Sequence, residues 1–232
     1  MLALSPLEIE ALLLSLRVGG ASVVGSLPFA LACAWLLARC EFPGKAFVDG
    51  IIHLPLVLPP VAVGFALLVL FGRNGVIGAF LYQSFGLVFA FNWKGAALAS
   101  AVVALPLMVR AMRLSLEAVD RRLEAAARSL GAGRWRIAAT ITVPLMAPGI
   151  LTAAILGFAR SVGEFGATIT FVSNIPGQTR TLPIALYTLT QVPGGDEGAW
   201  RLAGLSVIVA LLALILSETL ARRVGRRIRG IE

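Results

Sequence analysis

Arg160 and Glu164 are charged residues within an apolar stretch that runs from about residue 145 to residue 167. A spacing of four residues places both side chains on one face of a helix, where an ion pair lowers the cost of burying either charge. The alternative role for Arg160 is to attract an anion along a path through the chain, and the sequence leaves both roles open. Ser161, Phe165 and Gly166 belong to the same candidate site, which is either a translocation path or a structural ion pair.

A polar segment from about Leu123 to Arg136 separates two apolar stretches. Alanine and leucine at helical spacing predict a short surface helix over about residues 123–131, and Gly131 ends it because glycine tolerates the left-handed conformation of a helix end. Pro144 then opens the next apolar stretch. An ordinary loop rich in alanine and arginine is the alternative interpretation.

The remaining reactive side chains do not form a catalytic, metal or cofactor site. A phosphate-binding loop needs a glycine separated by four residues from Gly-Lys-Ser/Thr. Lys45 is followed by Ala46, and Arg39 stands where that glycine would be. The single histidine, His53, has no second imidazole or cysteine pair near it, and the two cysteines are expected to be apolar fillers. We therefore expect no enzyme activity and no cofactor, and any energy from ATP must come from a partner.

The composition is that of an integral membrane protein. The chain has 232 residues, of which 58% are hydrophobic and 14% charged, and its mean hydropathy is +0.90. These values lie far from those of a soluble domain. A net charge of +8 alone would suggest nucleic acid, but repeated apolar runs of spanning length do not build a nucleic-acid-binding face. The charge is better explained by membrane topology.

Five apolar segments are long enough to cross a hydrocarbon layer, which needs ~20 helical residues, so we predict an all-α membrane protein with about five transmembrane helices. They are Leu12–Leu37, Ile51–Phe71, Gly95–Met112, Leu145–Ala167 and Leu202–Leu220. Pro55, Pro59 and Pro60 must bend the second span or delay its start until after Pro60. Glycines interrupt the segment 74–93, which is expected to lie along the outer surface; the alternative is a sixth span in this segment.

The basic residues predict the orientation. With the N-terminus outside, 14 of the 20 lysines and arginines fall in the inner loops and the tail, four in outer loops and two within spans. Such an excess is typical of cytoplasmic loops. The same orientation places Trp35 and Trp135 at the inner boundary and Trp93 and Trp200 at the outer one, as expected for interfacial tryptophans. The C-terminus is then cytoplasmic, and the chain divides into an outer segment 1–11, a transmembrane domain 12–220 and a basic tail 221–232.

The polar segment resembles the cytoplasmic signature of ABC importer permeases, which is Glu-Ala-Ala, three residues, Gly, nine residues, Ile, one residue, Leu-Pro. Aligned on Gly131, the matching residues are Ala126, Ala127, Ile141 and Pro144. Two positions depart, because the family glutamate falls on Ala125, one place after Glu124, and Val143 replaces the leucine. The resemblance implies that residues 123–131 form a coupling helix, which docks on an ATPase subunit.

Three further stretches resemble molybdate and sulfate permeases: Phe158–Ala167, Leu54–Pro60 and Thr170–Gly177, the last two leaning toward the molybdate members. The resemblance implies a type I ABC importer permease fold in the bacterial inner membrane. It also implies a homodimer with two ATPase subunits and a periplasmic oxyanion-binding protein, moving molybdate by ATP-driven alternating access. Sulfate, thiosulfate or tungstate is the alternative substrate. A channel or secondary transporter acting alone is the rival class, but such proteins usually contain internal repeats, and none is visible here.

Overall fold

The computed structural model describes residues 4–228, and all regular elements in that range are helical. The helices are α1 (Pro6–Arg39), α2 (Lys45–Val57), α3 (Pro60–Phe71), α4 (Val76–Phe85), α5 (Trp93–Glu117), α6 (Arg121–Ser129), α7 (Arg134–Ile137), a π-helix (Ala138–Thr142), α8 (Val143–Val162), α9 (Gly166–Val172), α10 (Leu182–Thr190) and α11 (Asp196–Ile228). The predicted all-α class is confirmed.

Four helical segments of the described chain are long and apolar enough to cross a membrane: α1, α5, the continuous segment Arg134–Val162 and the first part of α11. The bent pair α2 and α3 supplies a fifth crossing if it counts as one span. α4 has only 10 residues, which is half of what a helix needs to cross the hydrocarbon layer. The count agrees with the predicted five spans.

The second span breaks where its prolines predict. α2 ends at Val57, α3 begins at Pro60, and the two helices meet at an angle of 113°. Pro59 cannot donate a backbone hydrogen bond and disfavours the α conformation in the residue before it, whereas Pro60 fits the first turn of α3. Pro55 lies inside α2, so the sharp break comes from the Pro59-Pro60 pair.

The fourth span differs from the prediction at both ends. Helical structure begins at Arg134 and passes through the π-helix before Pro144, so this proline does not start the span. A π-helical turn before a proline is a reasonable local solution, since the ring clashes with the carbonyl four residues earlier in an α-helix. At the other end α8 stops at Val162, five residues before the predicted limit.

α5 is the central span, with α1 and α8 packed on its sides. Small residues allow close approach of these backbones: Ala30, Ala34, Ala104 and Ala153 are fully buried. Gly157 of α8 has no room for a side chain, because a Cβ there would lie 2.6 Å from the sulfur of Met108. Packing through small residues is the usual way in which membrane helices approach one another.

The two ends of the transmembrane domain extend beyond the predicted limits. α1 begins at Pro6, with a capping box formed by Ser5 and Glu8. Glu8 is buried and its carboxylate lies 3.1 Å from Arg201 of α11, which joins the first and last spans. α11 continues to Ile228, so the backbone of residues 221–228 in the predicted tail is helical. Residues 229–232 of that tail, and 1–3 of the predicted outer segment, lie outside the described residues.

Candidate functional site

Arg160 and Glu164 do not share one uninterrupted helix. α8 ends at Val162, the chain is irregular over residues 163–165, and α9 begins at Gly166. The expectation of a single span through Ala167 was therefore wrong at this point. Glycines at both edges of the break, Gly163 and Gly166, are the sequence signal that could have predicted it.

The ion pair nevertheless forms across the break. Nη1 of Arg160 lies 2.7 Å from Oε2 of Glu164, whose side chain is only 2% exposed, whereas that of Arg160 is 32% exposed. The second carboxylate oxygen, Oε1, accepts a hydrogen bond of 2.8 Å from the backbone N–H of Ala167. Glu164 therefore satisfies a free N–H group at the start of α9 as well as the charge of Arg160.

Ser161 connects this site to α1. Its hydroxyl oxygen accepts a 2.7 Å hydrogen bond from Ser22, and both serines are buried. Ser22 was not among the predicted site residues, since 139 positions separate the two hydroxyls in the chain. The contact fixes the end of α8 against the middle of α1.

Phe165 and Gly166 face different neighbours. The ring of Phe165 lies 5.0 Å from that of Tyr187 in α10. Gly166 packs on the first residue of α3, where a Cβ on the glycine would lie 2.8 Å from Cβ of Pro60. A Cβ on Gly64 of α3 would similarly lie 2.5 Å from the carbonyl oxygen of Ala167. The break between α8 and α9 thus packs against the break between α2 and α3.

Two interrupted spans meeting in this way are typical of places where a transport protein binds or passes its substrate. Arg160 lies at the edge of this region with about one third of its side chain accessible. Its guanidinium has five N–H donors, and the bond to Glu164 leaves others free to interact with an anion. The pairing itself would weaken that attraction, so the geometry is compatible with a structural or a transport role.

The short surface helix is α6, close to the predicted range 123–131. Asp120 caps its start by accepting a 2.9 Å hydrogen bond from the backbone N–H of Arg122. Gly131, two residues after the end of α6, has φ of +83°. The backbone N–H groups of Gly131 and Ala132 donate hydrogen bonds to the carbonyl oxygens of Arg128 and Ala127, respectively, and so close the last turn of the helix. Glycine is required here by the left-handed backbone, as the sequence predicted.

Glu124 points from α6 toward the spans. Its Oε1 accepts hydrogen bonds of 2.9 Å from Arg39, the last residue of α1, and 2.8 Å from the hydroxyl of Thr142, the last residue of the π-helix. The side chains of Arg39 and Glu124 are only 11% and 15% exposed. Neither Arg39 nor Thr142 was predicted, because both are distant in sequence and lack a motif.

The other residues that the coupling-helix signature singles out lie either on α6 or at the start of the fourth span. Ala126 is exposed and Ala127 is half-buried on α6, so they leave an accessible surface without bulky side chains. Ile141 lies in the π-helix and Pro144 in the first turn of α8. No cluster of three or more metal-ligating side chains occurs within the described residues.

Comparison with known proteins shows the family. Residues 26–230 match the model of the binding-protein-dependent transport system inner membrane component, and the chain belongs to this family of multi-pass inner-membrane permeases. It is 61% identical over 223 residues to the molybdenum transport system permease protein ModB of Escherichia coli K12, covering 94% of this chain and 97% of that protein. The corresponding protein of Haemophilus influenzae is 57% identical over 222 residues, covering 96% of this chain and 97% of that protein.

A solved bacterial alginate ABC transporter in complex with an alginate-bound periplasmic protein has the same fold. Its matching chain gives a TM-score of 0.75 at 18% identity, with 97% of this chain and 82% of that chain covered. The fold is therefore that of an ABC importer permease, and the predicted resemblance is confirmed.

Proposed function

We propose that this chain is the membrane-spanning subunit of a molybdate importer, which works as a homodimer with two ATPase subunits in the cytoplasm and an oxyanion-binding protein in the periplasm. The observation that carries the proposal is the exposed, capped helix α6 and its attachment to the spans through Glu124. The names of the two relatives support molybdenum oxyanion as the cargo. The absence of an internal sequence repeat supports a two-fold pore built from two copies.

The attachment of α6 suggests how ATP would drive transport. When the ATPase subunits close, they displace α6, and Glu124 transmits this displacement to the ends of α1 and the π-helix. α8 continues directly from the π-helix, so the movement reaches the break at residues 163–165. Rigid helices that pivot at such breaks can alternate access between the two sides of a membrane.

The excess of basic residues in the predicted inner loops supports an outside N-terminus and a cytoplasmic α6. Arg160 would lie past the midplane toward the outside, at the meeting point of the two broken spans. A molybdate ion released by the binding protein would pass this region without a tight site, since strong binding within the membrane would slow its exit.

Reconstitution tests the proposal directly. Proteoliposomes that contain this chain and its ATPase are supplied with the binding protein outside, and ATP-dependent uptake of radioactive molybdate is measured against excess sulfate or tungstate. We expect uptake that needs all three components, with native mass spectrometry showing two copies of the permease and two of the ATPase. Uptake without the ATPase would indicate a channel or secondary transporter, and stronger competition by sulfate would change the assigned cargo.

A further inference from the structure

A basic cavity of about 610 Å³ lies between α6, the end of α1 and the start of the fourth span. Four arginines and two tryptophans form most of its charged and aromatic lining: Arg39, Arg121, Arg128, Arg134, Trp35 and Trp135. Glu124 is the only carboxylate among its lining residues. Its charge is already paired with Arg39, so the cavity retains an excess of positive charge.

Three of the arginines are free to bind a ligand. Within the described side chains, Arg121, Arg128 and Arg134 have no carboxylate within 4.0 Å, whereas Arg39 is paired with Glu124. Arg121 donates one hydrogen bond of 3.2 Å to the carbonyl of Ala38, which orients it and leaves other N–H groups unused. Guanidinium groups that converge on one space are well suited to a phosphate group, because each can donate two parallel hydrogen bonds.

On α6, one face of the helix lines the cavity and carries Arg121, Glu124, Ala125 and Arg128. Ala126 and Ala127, the small residues of the coupling signature, do not line it. Its walls also include the last turn of α1 and the first residues of the fourth span. In the predicted orientation, Trp35 and Trp135 of these walls lie at the inner boundary of the membrane. Trp135 is 90% exposed at its rim. An exposed tryptophan next to arginines at the end of a span is typical of the headgroup level of a membrane.

We propose that this cavity binds the phosphate group of an anionic phospholipid of the inner leaflet, with the guanidinium groups of Arg128 and Arg134 as principal ligands. Basic pockets between membrane helices on the cytoplasmic side are known to hold such headgroups. The cavity volume is within the range that encloses a small organic ligand. The inference goes beyond molybdate import and uses only the proposed orientation, which names the leaflet. A bound lipid would contact α6 and the π-helix together, and would therefore stabilise the element that joins them.

The test uses the assembled permease and ATPase complex, delipidated in detergent and titrated with phosphatidylglycerol while native mass spectrometry counts the bound lipid. The variant Arg128→Gln with Arg134→Gln removes two cavity charges. The matched control, Arg122→Gln with Arg136→Gln, removes two charges from the same helices at positions that do not line the cavity. We expect at least tenfold weaker lipid binding in the first variant, since each lost charge-assisted hydrogen bond costs about a factor of ten. The control should bind within twofold of the unmodified complex.

Equal binding in both variants, or an equal loss in both, would overturn the proposal. So would displacement of phosphatidylglycerol by millimolar inorganic phosphate, because the site would then belong to a free anion. The double variant Arg128→Gln with Arg134→Gln could also lose the ATPase while its affinity for the lipid stays unchanged. That result would assign these arginines to the interface with the ATPase and would overturn the proposal. If that double variant does not assemble, Arg134→Gln alone is labelled with a photoreactive phosphatidylglycerol. Undiminished labelling of the peptide around Trp135 would contradict the proposal.

Discussion

Glu124 and Arg39 are separated by 85 positions in the sequence, yet their side chains meet at 2.9 Å and join the surface helix α6 to the end of the first span. The same carboxylate oxygen of Glu124 also accepts a hydrogen bond from the hydroxyl group of Thr142. The side chain of Glu124 thus connects α6, the end of α1 and the π-helix next to the proposed docking site of the ATPase. The shift of the glutamate by one position from the family signature is compatible with this internal role.

The first prediction removes this contact. Glu124→Ala leaves the largely buried guanidinium of Arg39 without its carboxylate, a loss of about 2 kcal/mol for a charged hydrogen bond. We expect a complex that still hydrolyses ATP but imports molybdate about tenfold more slowly, because α6 no longer moves with the spans. The control is Glu117→Ala, which breaks a more exposed pair with Arg113 on α5. Comparable import defects in both variants would show that the position of Glu124 is not special.

The second prediction concerns the end of α6. Gly131 has φ of +83°, whereas Gly133 has φ of −69°, and no atom lies within 4 Å of a Cβ built on either. Gly131→Ala should therefore cost roughly 1–2 kcal/mol of backbone strain, and Gly133→Ala should cost little. We expect weaker retention of the ATPase by the first variant on an affinity column. Equal retention by both would mean that the backbone turn at Gly131 does not position α6 for docking.

The features that could be predicted from the sequence were those that depend on residues close to one another along the chain. The five spans follow from apolar runs, the break before α3 from Pro59 and Pro60, and the end of α6 from Gly131. The break at residues 163–165 was missed because an apolar run with Arg160 and Glu164 at helical spacing is typical of an intact helix. Pairs such as Ser22 with Ser161 could not be predicted, since a single sequence carries no signal for a contact between distant hydroxyl groups.

The third prediction tests the contact between the two broken spans. A Cβ at Gly64 would lie 2.5 Å from the carbonyl oxygen of Ala167, whereas Gly20 of α1 has open space around it. Gly64→Ala should force α3 away from α9 and destabilise the detergent-solubilised complex by about 1–3 kcal/mol, as overpacking usually does. Gly20→Ala is the matched control. Thermal unfolding measures both, and an unchanged midpoint for Gly64→Ala would show that the two spans separate at low cost.

The fourth prediction is the orientation in the membrane. On a background lacking Cys33 and Cys40, single cysteines replace Ser129, the last residue of α6, and Gln191, the residue directly after α10. Both positions are exposed. With the N-terminus outside, a membrane-impermeant maleimide should label position 191 in intact cells and position 129 only in opened vesicles. The reverse pattern would invert the topology and place α6 out of reach of a cytoplasmic ATPase.

The last prediction separates the two roles of Arg160. Glu164→Leu removes both the partner of Arg160 and the acceptor for the N–H group of Ala167, so this single variant should assemble poorly. Glu164→Gln retains a carbonyl oxygen for that N–H group and should assemble better. If the pair only neutralises charge, Arg160→Leu combined with Glu164→Gln should import molybdate better than Arg160→Leu alone, because no buried carboxylate is left unpaired.

We expect this rescue, since a divalent anion held by an unshielded guanidinium would leave slowly. Uptake per assembled complex is measured for both singles and the double, with Ser161→Ala as a control that changes the site without changing its charge. A double variant that assembles fully yet imports no better than Arg160→Leu would place the guanidinium itself on the translocation path. The defect would then follow the loss of Arg160, whatever residue stands at position 164.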